Sequence, residues 1–168
     1  MNQPTVTTQP KWVSVLFSFV QFIGIVGFAV AELVQLLQYG TDGFAHASLL
    51  NGLVWLIGVN GIVAASGHLF YADPVADSIG WPRGTPWQWE VGLGDLGYGV
   101  LGVMAPSFDQ DFWLATIIVA SIFLFGAAIG HVRQMRTAHN MAPANAGAIL
   151  YTDVLLPAVV IALYIVAT

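Results

Sequence analysis

The stretch FWLATIIVASIFLFGAAIGH, residues 112–131, carries no charged side chain before its final histidine. A helix needs about 20 mostly apolar residues to cross the hydrocarbon core of a membrane, which is about 30 Å thick. Since this stretch is apolar along nearly its whole length, it predicts a transmembrane helix. The membrane is therefore the expected solvent of this part of the chain.

Four more stretches of comparable length and polarity lie before and after this one. Together the five predict an all-α membrane protein, in which residues 1–168 form a single bundle of five transmembrane helices. The residues left between the spans are too few for a separate soluble domain. The predicted spans are Trp12–Gln38, Leu49–Tyr71, Pro86–Met104, Phe112–His131 and Ala148–Ala167.

The composition agrees with a membrane protein and excludes several functions. Of 168 residues, 57% are hydrophobic and 8% are charged, whereas about a quarter of the residues in soluble proteins are charged. Nine acidic residues against four Lys and Arg give a net charge of -5, which leaves no basic surface for a nucleic acid. The absence of Cys excludes disulfides, thiolate metal sites and thiol catalysis. We therefore expect the lipid bilayer as a partner, and no nucleic acid.

The Lys and Arg residues predict the orientation of the bundle, because cations near span ends are retained on the cytoplasmic side. With five spans, all four fall on one side: Lys11, Arg83, Arg133 and Arg136. The opposite loops have no base and carry Asp42, Asp109 and Asp111. This pattern predicts a multi-pass protein of the cell membrane with a cytoplasmic N-terminus.

The sequence Ala29-Val30-Ala31 before Glu32 offers an alternative for the first span, because it resembles a signal-peptidase site. The apolar run from Trp12 is longer, however, than the apolar region of a signal peptide, which has about 7 to 15 residues. The apolar pattern also continues beyond the site. We therefore expect a retained span.

The connection between the second and third spans predicts a short helix along the membrane interface. Asp73 and Pro74 are typical of a helix start, and Gly80 is typical of a helix end. Thr85 and Gln88 have the spacing of a capping box, which predicts that the third span begins there.

Three tryptophans surround the start of the third span: Trp81, Trp87 and Trp89. Amphipathic indoles favour the headgroup level of a membrane, where the ring is buried and the N–H stays hydrated. We interpret all three as interface anchors and not as part of a ligand site.

The third span is rich in glycine, which lets neighbouring backbones approach closely. At about 100° per residue, Glu90 shares one face with Gly94, and Asp95 shares the other with Gly99. Both acids are therefore predicted to face protein and not lipid. The fourth span carries a GxxxG pair, Gly126 and Gly130. Such faces serve contacts within one bundle or between two copies, so a homo-oligomer is an open alternative.

Ionisable side chains within spans cost about 3 kcal/mol each at the membrane centre, so each suggests a function. Four of them, from four different spans, are predicted at similar depth on the cytoplasmic side: His68, Glu90, His131 and Asp153. Asp95 is expected about one turn deeper, and Glu32 lies separately near the outer end of the first span. Asn60, Ala64 and His68 recur every four residues and give the second span a polar stripe directed inward.

Three functions compete for this cluster. Two imidazoles with two or three carboxylates suit a divalent transition metal such as Zn, Mn or Fe. Groups of the same kind relay protons or coordinate a transported cation within membranes. His68 and His131, at matched depth on different helices, are also candidate axial ligands of a haem. In the structural alternative, these groups pair with one another and with Arg83 or Arg133 and only hold the bundle together.

Other chemistries lack support in the sequence. No predicted span contains a Lys, which excludes a retinal Schiff base within the membrane. No GxSxG, HExxH or phosphate-binding loop is present, so no catalytic residues are assigned. His46 and His139 are expected in loops or at span edges. Solvated positions there account for both histidines without a functional role.

The segment GHLFYADPVADSIGWPRGTPWQWEVGLGDLGYGVLG, residues 67–102, resembles the signature of a family of small prokaryotic membrane proteins catalogued as a domain of unknown function. GAAIGHVRQM from Gly126, NMAPANAG from Asn140, and YTD at 151–153 are similar to later blocks of that family. The resemblance leaves out the first span. It implies a polytopic membrane fold and carries no activity with it. The polar positions that match are His68, Asp73, Glu90, His131, Asn145 and Asp153.

We therefore predict a cation-binding or cation-coupled transport protein with a His and carboxylate site on the cytoplasmic side. The candidate ligands are His68, Glu90, His131 and Asp153, with Asp95, Asp73 and Asn145 as further candidates. A divalent transition metal is the favoured cofactor, ahead of haem. An accessory or structural membrane protein is the alternative, followed by a b-haem redox protein.

Overall fold

The computed structural model describes residues 22–168, and this part of the chain is helical, without a strand. The helices are α1 Ile23–Tyr39, α2 Phe44–Phe70, α3 Ala72–Ile79, α4 Trp87–Met104, α5 Gln110–Thr137, α6 Pro143–Ala146 and α7 Ala148–Ala167. The predicted all-α class is thus confirmed. Lys11 and the beginning of the predicted first span, from Trp12, lie outside the described residues.

Three segments of the described chain are long and apolar enough to cross a membrane: Phe44–Phe70, Gln110–Thr137 and Pro143–Ala167. α1 is apolar but shorter, and α4 has 18 residues and carries two carboxylates. The chain thus has the helices of a membrane protein.

Two helices are longer than their predicted spans. α2 begins at Phe44 and not at Leu49, because the FAHAS segment continues the helix without a break. α5 continues past His131 to Thr137, since the polar residues that end the apolar run do not end the helix. The helix ends therefore differ from the ends of the apolar runs in this chain.

α2 and α4 pack backbone to backbone through glycine. A Cβ added to Gly102 would lie 2.5 Å from the Gly58 nitrogen and 2.6 Å from the Leu53 oxygen. A Cβ on Gly99 would lie 2.8 Å from the Ile62 nitrogen. Side chains do not fit at such distances. The predicted close approach of the third span to a neighbouring backbone is therefore confirmed for the face of α4 that meets α2. Gly58 belongs to a π-helical segment of α2, Gly52–Val59, which apolar periodicity did not predict.

The two faces of α4 differ. Asp95 lies on the face that packs against α2 and is buried, as predicted. Glu90 is exposed, so the prediction that it faces protein is wrong. The reason is that the Glu90 face is only partly covered: Gly94 contacts Phe123, whereas a Cβ on Gly97 would meet nothing within 4 Å in the described chain.

α3 is the predicted short helix between the second and third spans. It begins at Ala72, so Asp73 lies in its first turn and is not its N-cap. Gly80 ends it in a left-handed conformation with φ 75°, as predicted. The capping box at Thr85 does not form, because the Gln88 side chain donates to the Ala72 carbonyl instead.

α3 and the connection between α5 and α7 pack together at one end of the bundle. Asn140 Nδ2 donates to the Ile79 carbonyl at 2.8 Å, and α3 also contacts α6. The segments that carry Arg83 and Arg136 therefore lie at the same end of the molecule.

Glu32 forms a separate polar cluster between α1 and α2. It accepts a hydrogen bond from Ser48 Oγ at 2.5 Å and another from Asn51 Nδ2 at 2.9 Å. Both carboxylate oxygens thus have partners within the bundle. This agrees with the prediction that Glu32 is separate from the other ionisable groups.

Candidate functional site

A cavity of about 1010 Å³ lies between α2, α4, α5 and α7, and α3 borders it. Its walls are mainly apolar, with Leu56, Val63, Val91 and Leu124 among them. The predicted polar stripe of α2 lines the cavity through Asn60, Ala64 and His68. Among residues 22–168, the ionisable side chains in its lining are His68, Asp77, Asp95, Tyr98, His131 and Asp153.

His68 and Asp95 form the first of two histidine–carboxylate pairs. His68 Nε2 lies 3.9 Å from Asp95 Oδ2. On the other side of the ring, His68 Nδ1 is hydrogen bonded to Gln88 Oε1. Gln88 is buried, and its Nε2 donates to the Ala72 carbonyl at 2.9 Å. The imidazole is therefore held between an amide and a carboxylate.

His131 and Asp153 form the second pair with the same arrangement. His131 Nε2 lies 3.6 Å from Asp153 Oδ2, and His131 Nδ1 lies 2.8 Å from Asn145 Oδ1. Asn145 is 0% exposed, and its Nδ2 donates to the Asn140 carbonyl at 2.9 Å. An amide again holds the ring from behind.

These two amides determine the tautomer of both imidazoles. A backbone carbonyl only accepts hydrogen bonds, so the amide group that faces Ala72 or Asn140 must be the NH2. The amide oxygen of Gln88 or Asn145 therefore faces the ring, and each Nδ1 must carry a proton and donate it. In the neutral imidazole, Nε2 is then an acceptor, and in each pair it is the ring nitrogen next to the aspartate.

The two aspartates line the same cavity but differ in their hydrogen bonds. Asp95 Oδ1 accepts a hydrogen bond from the Tyr98 hydroxyl at 2.9 Å. Asp153 Oδ2 is buried and accepts none from residues 22–168, since His131 at 3.6 Å is beyond direct hydrogen-bond distance. Asp153 therefore presents an unsatisfied oxygen at the cavity wall.

Trp81 and Trp87 lie beside the two imidazoles. The indole rings are 4.8 Å apart in an edge-on contact. Trp87 lies 5.9 Å from His68, and Trp81 lies 6.0 Å from His131. Both indoles line the cavity, a position that the interpretation as interface anchors did not include. Trp89, which is 60% exposed, fits the role of an interface anchor.

The cavity gathers most, but not all, of the predicted ligands. Three of the four line it: His68, His131 and Asp153. Asp95 takes the position expected for Glu90, which is exposed outside the cavity, as is Asp73. Asn145 supports the second pair. Within residues 22–168, no three His, Asp or Glu side chains lie close enough together to hold one metal ion.

Gln88 and the two indoles are the site residues that sequence reasoning missed. The sequence around each of them already accounts for its presence, by a capping box for Gln88 and by interface anchoring for Trp81 and Trp87. A buried amide opposite a histidine leaves no periodic signal in one sequence. The polar stripe that ends at His68 was the one indication that α2 faces a polar region.

The cations of the described chain do not neutralise the two aspartates. Arg83 forms a bidentate pair with Asp77, in which its Nε donates to Oδ1 at 2.5 Å and its Nη2 donates to Oδ2. This hydrogen bonding raises the pKa of the Arg83 guanidinium. Arg133 is exposed, and neither guanidinium lines the cavity. The pairing with Arg83 or Arg133 expected in the structural alternative is therefore not formed.

The geometry does not favour a haem. The Nε2 atoms of His68 and His131 face carboxylates and not each other. The contacting indoles of Trp81 and Trp87 lie next to the same two rings. Neither imidazole therefore offers its Nε2 to an iron without first losing its aspartate.

The GxxxG pair of α5 lines the cavity and does not pack against another described helix. A Cβ on Gly126 or Gly130 would meet nothing within 4 Å in the described part of the chain. Both glycines belong to the cavity lining. Their predicted use in packing α5 against a neighbouring helix is therefore wrong for residues 22–168, and contact with a second copy stays a prediction.

No curated protein and no solved structure matches the chain. A family model matches residues 15–168 and so covers every helix that lines the cavity. It also covers most of the first span, which the sequence resemblance left out. The predicted membership of a family without an assigned function is confirmed, and the chain belongs to the family of unknown function DUF6790.

Proposed function

We propose that this protein is a multi-pass membrane protein that binds cations in its cavity and couples their binding to transport. The binding sites are the two histidine–carboxylate pairs, His68 with Asp95 and His131 with Asp153. In this proposal the bundle has five spans and a cytoplasmic N-terminus, and the cavity lies in the cytoplasmic half of the membrane.

The packing of the connections supports this topology. The hydrogen bond from Asn140 to the Ile79 carbonyl joins the connection after the second span to the connection after the fourth. Both connections carry Arg, at Arg83 and at the adjacent Arg136. Cations retained on one side of the membrane favour the cytoplasm for that end.

The absence of Cys makes the topology directly testable. We expect Arg83→Cys and Arg136→Cys to resist a membrane-impermeant maleimide in intact cells and to react after permeabilisation. Asp42→Cys, in the opposite loop, is the control and should react in intact cells. Labelling of residues 83 and 136 from different sides would contradict five spans.

The observation that carries the proposal is that each pair brings two acceptors face to face. With Nδ1 donating to an amide, the neutral imidazole offers a lone pair at Nε2, and an ionised carboxylate also only accepts. Two acceptors that face each other in an apolar wall repel, and the low dielectric strengthens the repulsion. A cation between them removes it, so each pair favours a bound proton or metal ion.

The proton is the cation that the pairs fit best. Two side chains are enough to share a proton, whereas a metal ion at either pair has only two protein ligands, since no third His, Asp or Glu joins within the described chain. The separation of 3.6 Å in the second pair favours a divalent metal as the second candidate. Two ligands of a tetrahedral Zn²⁺ with bonds of about 2.1 Å lie about 3.4 Å apart.

Infrared spectroscopy of the detergent-purified protein tests proton binding. We expect the C=O stretch of a protonated carboxyl group, which disappears as the pH is raised. Asp153→Asn should remove one part of this signal and Asp95→Asn another. Glu90→Gln is the control, because it removes the same charge from an exposed position of α4 and should leave the signal unchanged.

Elemental analysis tests the second candidate on the same preparation. After dialysis against Zn²⁺, Mn²⁺ or Fe²⁺, a metal that stays bound in the wild type and is lost in His131→Ala would favour the metal site. A folded protein with no carboxyl signal, no imidazolium signal and no bound metal would contradict cation binding. It would leave the structural alternative, in which the pairs only hold helices together.

A further inference from the structure

We propose that the cargo of this cavity is a lipophilic organic cation, a largely aromatic molecule of drug size with a single positive charge. This inference rests on the proposed function, because it names the ligand for which the two pairs exchange their protons.

The size of the cavity points to an organic ligand. Its volume of about 1010 Å³ lies at the upper end of the range for pockets that bind drug-sized molecules, about 300 to 1,000 Å³. A proton or metal ion between an imidazole and a carboxylate would occupy a small fraction of it. Gly126 and Gly130 leave room along α5, where an added Cβ meets no described atom. Apolar walls such as Val63 and Val91 require a ligand that is mostly apolar.

The charge of the lining points to a cation. Asp95 is 3% exposed and Asp153 is 8% exposed, and Asp153 Oδ2 has no hydrogen-bond partner within residues 22–168. Asp77, the third carboxylate of the lining, already pairs with Arg83. No Lys or Arg of the described chain lines the cavity. An unpaired buried carboxylate is costly, so a positive charge beside Asp95 and Asp153 is the complementary one.

The two indoles favour an aromatic or alkylated cation over a hydrated metal ion. Trp81 and Trp87 are in contact with each other and lie next to His131 and His68. An organic cation within about 6 Å of an indole centroid is attracted to the face of the ring, and more strongly when it is desolvated. Aromatic rings of the ligand also pack edge-on against such a pair. The charge and the apolar body of one ligand thus have separate partners.

The ligand exchanges for a proton. Asp95 is faced by the Tyr98 hydroxyl and by His68, and Asp153 is faced by His131. Both aspartates line the same cavity. When a singly charged ligand enters beside an aspartate, one proton leaves that pair for the solvent. The net charge of the cavity stays the same, and no other co-reactant is needed.

Equilibrium binding of radiolabelled tetraphenylphosphonium to the detergent-purified full chain tests this proposal. We expect saturable binding that weakens as the pH is lowered, because protons compete for the same aspartates. Asp153→Asn should weaken the affinity at least about tenfold, which corresponds to about 1.4 kcal/mol. The double variant Asp95→Asn with Asp153→Asn should bind no better than empty detergent. Glu90→Gln, which removes an exposed charge, should bind as the wild type does.

A neutral probe, triphenylphosphine oxide, separates loss of charge recognition from loss of folding. A folded Asp153→Asn variant should bind it as weakly as the wild type does. Equal affinity of the wild type for the neutral and the charged probe, or unchanged tetraphenylphosphonium binding in the double variant, would overturn the proposal. If no tetraphenylphosphonium binds while the infrared carboxyl signal is present, the cargo assignment fails and proton binding stands. Binding that depends on Asp153 but not on pH would support the cargo and contradict proton exchange.

Discussion

Gly102→Ala is expected to lower the free energy of unfolding by about 3 kcal/mol, the upper part of the usual range for overpacking a core. The added methyl group would lie 2.5 Å from the Gly58 nitrogen and 2.6 Å from the Leu53 oxygen. Both atoms belong to the backbone of α2 and cannot move away by changing a rotamer. α2 and α4 must therefore separate along the contact that also positions His68 and Asp95. Thermal unfolding in detergent measures the effect.

Gly97→Ala is the matched control for this prediction. It makes the same chemical change in the same helix, but its Cβ meets nothing within 4 Å in the described chain. Since alanine favours a helix over glycine by about 1 kcal/mol, this variant should be as stable as the wild type or more stable. Equal destabilisation by both substitutions would show that backbone contact between α2 and α4 is not what the glycines provide.

Asn145→Ala is expected to have the second largest effect and to lower the free energy of unfolding by about 3 kcal/mol. A buried polar group that loses its hydrogen-bond partner costs about 1 to 3 kcal/mol. Asn145 is 0% exposed and donates to the Asn140 carbonyl at 2.9 Å and the His131 carbonyl at 3.4 Å. It also accepts the hydrogen bond of His131 Nδ1. Truncation therefore removes the partners of two carbonyls and frees the imidazole. We expect the Asp153 part of the infrared signal to shift and the Asp95 part to stay.

Thr137→Ala provides the comparison, since its exposed hydroxyl donates to a backbone carbonyl at 2.9 Å near the end of the same helix as His131. Loss of this hydroxyl should lower the free energy of unfolding by a few tenths of a kcal/mol, as for most surface substitutions. If Asn145→Ala were as stable as Thr137→Ala and left the infrared signal unchanged, the amide would not be what holds His131 in place.

The part of the fold that could be predicted is the part encoded locally. Apolar runs predicted the positions of α2, α4, α5 and α7, because spanning length and hydropathy are properties of consecutive residues. Gly80 predicted the end of α3, because a left-handed residue is a local requirement. The π-helical winding of α2 and the continuation of α5 beyond His131 were missed, since they depend on packing and not on the apolar pattern.

The sequence predicted most of the residues that line the cavity but not how they pair. Counting residues from the span ends brought His68, His131 and Asp153 together, as the cavity lining does. The choice between Glu90 and Asp95 failed, because each shares a helix face with glycine and the sequence does not say which face meets α2. The roles of Gln88, Trp81 and Trp87 depend on a partner from another helix.

The sequence by itself determined apolar helices long enough to cross a membrane, acids and imidazoles within or beside them, and too few cations to neutralise the acids, because hydropathy, spacing and charge are properties of the chain alone. Only the tertiary structure decided which carboxylate meets which imidazole, and which nitrogen of each ring is left facing it. Those relations depend on the rotation of each helix about its axis, and backbone contacts between glycines and hydrogen bonds from buried amides fix that rotation.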